Sequence, residues 1–132
     1  MKRHLVALFA AGACALSAQA SAHHWFEATY IEDKSVTIQG ELVQLHFRNP
    51  HSFVHVMVKE RNGSIVRYSV EWAGAQQLDS QGVTTKSLKP GDHVVINGVP
   101  GSNPSDHRVL MLTLRRPKDG FDWGTRPGEV VR

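Results

Sequence analysis

The chain has 132 residues, with 15 Lys and Arg, 12 Asp and Glu, and one cysteine. That length suits one domain with a modest core. Lys2 and Arg3 account for two of the cations, so beyond residue 22 the balance is 13 against 12, which speaks against a nucleic-acid partner held by bulk charge, while the lone Cys14 excludes a disulfide framework.

Lys2, Arg3 and His4 make a basic start, and residues 5–16 form an apolar, Ala-rich run too short to span a bilayer. The run ends in the small-residue pattern Ala20-Ser21-Ala22. Residues 1–22 are therefore expected to be a secretory signal cut after Ala22, giving a periplasmic or secreted protein with no membrane attachment after cleavage. Removal of Cys14 with the signal excludes thiol chemistry in the mature chain.

Short runs rich in Val and Ile, broken by Gly, Pro and Asn, predict strands over 35–48, 53–59, 65–72, 93–98 and 107–115. A short helix is expected over 75–80. From residue 116 to 132 the Pro- and Gly-broken segment predicts an irregular tail, with Phe121 and Trp123 as its docking residues.

Alternation assigns the faces. Val54, Val56 and Val58 share one side of the second strand, and Phe53, His55 and Met57 the other. With RNPHS as the turn, burial of both apolar sets pairs Val43 with Val58, Leu45 with Val56 and Phe47 with Val54, and so sets His46 opposite His55. In the next hairpin Arg61-Asn62-Gly63 forms a three-residue loop with Gly63 left-handed. Val66, Tyr68, Val70 and Trp72 then meet the valines, while Arg67, Ser69 and Glu71 join the histidines. Val36, Ile38 and Leu42 are out of phase with the later part of strand one, which predicts a bulge between Gly40 and Val43.

A bent first strand, a three-strand meander, a short helix and two closing strands predict an all-β, five-stranded OB-like barrel over 23–115. His23-His24 followed by an aromatic after a signal, Asn49-Pro50-His51 after strand one, and the LKPGD turn before a late strand complete a recognisable set. In these features the chain resembles the small exported bacterial proteins grouped as domain of unknown function 6152. The resemblance implies export and this fold, and transfers no activity.

Cleavage after Ala22 would free an amine on His23 beside His24, a nitrogen-rich chelator for Cu(II) or Ni(II). The alternative is that His23 and His24 are polar residues of a frayed end. His51 and His55 are separated by about 13 Å along a regular strand and cannot share an ion. His46 and His55, as cross-strand neighbours, can. With Glu71 they form a candidate metal set, against which stands a plain solvated sheet face. A third reading is a metal-free ligand face, with contact area from Phe53 and Met57, Arg48 and Arg67 reading an anion, and His51 in the adjoining turn, where it also serves simply to hydrogen-bond the loop. Its partner would be a periplasmic protein or a small ligand.

No HExxH, GxSxG, phosphate-cradling loop or cysteine nucleophile occurs, so no enzymatic activity is expected.

Overall fold

In the computed structural model, residues 29–124 are described; the expected signal, His23, His24 and the end of the tail lie outside them. The elements are β1 (Val36–His46), β2 (Ser52–Lys59), β3 (Ile65–Trp72), α1 (Ala75–Ser80), β4 (His93–Pro100), a 3-10 turn (Pro104–Asp106), β5 (Arg108–Arg116) and β6 (Phe121–Trp123). The sheet runs β3-β2-β1-β4-β5-β6, and parallel pairing of Ser69–Glu71 with Arg108–Leu110 joins β3 to β5. That seam closes the five-stranded barrel predicted from the pattern of runs.

The valine side of β2 faces inward. Val54 and Val56 are fully buried, with Leu42, Val70, Trp72, Ile96, Met111 and Leu114 around them. The second hairpin follows its predicted register, with Val58 opposite Val66, Val56 opposite Tyr68 and Phe53 opposite Glu71. Its tip turns on Gly63 at φ +87°. In β1 the register slips between Leu42 and Gln44, so Val43 is the bulged residue that reconciles the two apolar phases.

The first hairpin differs from expectation by two residues. Leu45 lies opposite Val54, His46 opposite Phe53, and Gln44 opposite His55. The Ser52 hydroxyl explains the shift: it accepts from the Arg48 amide and donates to the Arg48 carbonyl, both at 3.2 Å, closing the hairpin over Asn49–His51. A two-residue shift leaves every side chain on its expected face.

The tail docks through Trp123 as expected, but part of it is a strand rather than irregular. Residues 121–123 form β6 against Leu114–Arg116, and Trp123 is buried edge-to-face on Trp72, with centroids 5.3 Å apart. Burial of one indole outweighs the helix- and strand-breaking residues before it. The turn into β6 is fixed by Arg116, which pairs with Asp119 at 2.8 Å and Asp92 at 2.7 Å, donates to the Ser87 carbonyl, and lies over the Phe121 ring.

Asp92 belongs to the LKPGD turn. Its carboxylate accepts from the Lys89 amide, and its backbone and that of Gly91 bond to Leu42 at the β1 bulge. Burial opposes its ionisation, but the Lys89 amide and the Arg116 guanidinium prevail and hold the carboxyl below its ordinary range. A depressed acid contributes stability that is complete above the unfolded-state pKa, about 4, and is lost as pH falls through the lower folded value. Urea unfolding should accordingly show Asp92→Asn less stable than wild type by about 1–3 kcal/mol at pH 7. The gap should narrow progressively in acid below about pH 4; a gap independent of pH would show that the Asp92 charge is not its source.

Candidate functional site on the barrel face and its turn

The outward side of β1, β2 and β3 gathers most of the polar residues singled out in the sequence. His46 and His55 touch edge-to-face, with centroids 5.4 Å apart, as diagonal rather than direct cross-strand neighbours. The Arg48 guanidinium stands 5.2 Å over the Phe53 ring. Phe53, His55 and Met57 are each half-buried along β2. Arg67, exposed on β3, donates to Gln44. Burial first, then Arg67 and His46, lower the pKa of His55, so the ring is disposed to stay neutral near pH 7.

Glu71 does not complete a set with His46 and His55. One carboxylate oxygen accepts from the Tyr30 hydroxyl, and the other lies 2.9 Å from Nδ1 of His51. Among the described residues no group of three or more His, Cys, Asp or Glu is placed to hold a metal ion. The candidate triad is thus divided, with the two histidines on the strand face and Glu71 committed to the turn. The reason is proximity: the tightened Arg48–Ser52 hairpin brings His51 to Glu71, while Tyr30 reaches the carboxylate from the segment before β1, held by an isolated bridge to Gly101.

Tyr30 is 2% exposed. Burial and then the Glu71 carboxylate push its phenol far above the ordinary range, so it stays a neutral donor. His51 is the open end of this line, with its side chain 54% exposed against 14% for Glu71.

Residues 12–109 match the model of DUF6152, a family of unknown function. The chain belongs to the DUF6152 family. No curated protein matches it. The DUF6152 region takes in β1 to β4, the NPH turn and the LKPGD turn, and ends as β5 begins.

Two of the motifs that marked the DUF6152 resemblance acquire structural roles. Asn49 sits at the first turn of α1, where its side-chain oxygen accepts from the Gln76 amide at 3.0 Å and the Arg48 carbonyl accepts from Ala75. These bonds occupy amides that a helix start leaves unpaired. Gly74 permits the approach, since a Cβ there would lie 2.5 Å from the Pro50 carbonyl oxygen. LKPGD seats β4 on the β1 bulge, as described above.

Tyr30 carried no signal in the sequence. It lies 41 residues from Glu71, and no motif joins them. His107 packs edge-to-face on Tyr68 at 5.2 Å.

Proposed function

We propose that this DUF6152 protein is an exported, non-catalytic binding module of the periplasm, which takes an extended ligand across the outward face of β1, β2 and β3. Export is supported by the basic start, short apolar run and Ala20-Ser21-Ala22 pattern. The observation that carries the binding reading is the Arg48–Phe53 stack beside the His46–His55 contact. Aromatic and thioether area lies between two guanidiniums on the face that OB barrels commonly use for ligands. Arg48 and Arg67 favour an anionic ligand, and the half-buried Phe53 and Met57 favour one with apolar groups; an acidic peptide segment bearing aromatic side chains has both.

The test uses the exported protein, its first residue fixed by mass spectrometry, and a synthetic peptide alternating glutamate and tyrosine. Amide NMR shifts should move around His46, Phe53, His55 and Met57, less so at high salt, and Phe53→Ser with Arg48→Ser should abolish them. Shifts scattered over the barrel, or unchanged in that double variant, would remove the face from the reading.

A second reading is favoured by the closeness of His46 and His55: Cu(II) or Ni(II) chelated by the liberated amine and imidazole of His23, with His24 and a strand-face histidine completing the nitrogen set.

A further inference from the structure

The apolar core reaches the surface at one mouth of the barrel. Val36 at the start of β1, Pro100 at the end of β4 and Val109 at the start of β5 line a cleft of about 270 Å³, together with Tyr68 from β3. Tyr68 lies on the inward side of β3, opposite Val56, yet it and Val36 are only half-buried where they pack on the core. Barrel mouths are a recurrent place for ligand sites. This one is a different surface from the outward face of β1, β2 and β3.

The walls of the cleft are already fixed. The Ile31 amide donates to the Pro100 carbonyl at 3.0 Å, Lys34 to Ile31 at 3.0 Å and Gly101 to Arg108 at 2.8 Å, so a ligand need order little of the chain. His107, with a left-handed φ of +45°, turns the chain from the 3-10 turn into β5 and sets its ring edge-to-face on Tyr68. Two rings at an angle offer a third ring an edge-on or offset place. The volume falls just below the roughly 300–1,000 Å³ of sites for drug-sized molecules, which suits a single ring. Charge sets the rest of the ligand. Lys34 and Arg108 stand at the cleft, no acid lines it, and among the described residues neither cation is paired with a carboxylate. Arg108 also acts on the Tyr30 phenol, which leaves Lys34 the freer of the two. His107 is not counted with them, because Glu60 lies 3.9 Å from its Nε2.

We propose that this mouth is a separate binding site that takes a small aromatic monocarboxylate, its ring against Tyr68 and His107 and its carboxylate toward Lys34 and Arg108. The site is independent of both readings above. Apolar floor and unpaired cations together select an anion with an apolar body, and neither feature alone would.

The experiment titrates the exported protein with 3-phenylpropionate and follows amide NMR shifts. Saturable shifts are expected at Tyr68, Gly101, His107 and Val109, with little movement at His46 and Phe53. The neutral analogue 3-phenylpropanamide should bind at least about fivefold more weakly, and so should the acid to Lys34→Gln with Arg108→Gln. Lys34→Gln alone, a change on an exposed side chain, should weaken binding about two- to fivefold and serves if the double variant does not fold. His107→Asn keeps a residue that tolerates the left-handed backbone, removes the ring, and should weaken binding about two- to tenfold. Acetyl-glycyl-phenylalanine presents the same chemistry at a chain end and should bind no more tightly than the free acid. Shifts that do not saturate, or that gather on the outward face, would overturn the site. Equal affinity for acid and amide would overturn the role of Lys34 and Arg108, and tighter binding of the peptide would overturn the small-molecule assignment.

Discussion

Trp72→Ala should lower the unfolding free energy by about 3–5 kcal/mol, a large fraction of the roughly 5–15 kcal/mol that holds a domain of this size together. Trp72 is 1% exposed at the end of β3 and carries the edge-to-face contact with Trp123. Truncation would remove one of the two largest side chains of the core and strand the other, Trp123, whose burial is what attaches β6. The loss should therefore appear in two measurements. Urea midpoints should fall, and amides of Phe121–Trp123 should lose hydrogen-exchange protection before the rest of the barrel. Trp72→Phe should be milder, because the Trp72 indole N–H meets no acceptor among the described residues and an orphaned buried donor is itself a cost of about 1–3 kcal/mol. In contrast, Trp123→Phe would give up the bond from its indole nitrogen to Gln81. If Trp72→Ala unfolds with the wild-type midpoint, the indole pair does not anchor the core.

Gly40→Val is the second large effect, expected to cost about 3 kcal/mol or more. Gly40 lies in the middle of β1, paired on one side with Val58 and on the other with Val94. A Cβ at that position would meet the Met57 carbonyl oxygen at 2.0 Å. Backbone, not a flexible side chain, blocks the space, so β1 and β2 would have to separate at that pair. Gly63→Asn is the control: its left-handed φ suits Asn and nothing lies within 4 Å, so its cost should stay below about 1 kcal/mol. Equal urea midpoints for the two variants would show that the close approach of β1 to β2 is not a constraint on the fold.

Most of the fold was legible because it follows from alternation. A period of two names the buried face of β2 and β3 without any knowledge of the partner strand, and the phase change between Leu42 and Leu45 reveals the Val43 bulge. Register was less accessible. It depended on the Ser52 hydroxyl closing the Arg48 backbone, an interaction that leaves no periodic trace. The tail was legible in part: Phe121 and Trp123 mark its docking, but β6 is not evident, because Pro and Gly report local stiffness, whereas the pairing of residues 121–123 with β5 and the two carboxylates gathered by Arg116 are tertiary effects.

The candidate site was legible in part. Face assignment brought His46 and His55 together correctly, since a two-residue register error does not change sides. It placed Glu71 beside them for the same reason, yet sidedness does not determine which neighbour a long side chain engages. Tyr30 and His51 each take one oxygen of that carboxylate from outside the strand pattern, one from the preceding segment and one from the turn, so only the closed barrel identifies them.

The stapling of the NPH turn to α1 bears on how the protein meets whatever it binds. Arg48 and His51 ride on a hairpin end whose main chain is already bonded to Ala75 and whose Asn49 side chain is bonded to Gln76. Their loop has relinquished its conformational freedom during folding, so an arriving ion or peptide need not immobilise it again. Recognition there should resemble a key meeting a finished lock, with fast engagement and little rearrangement.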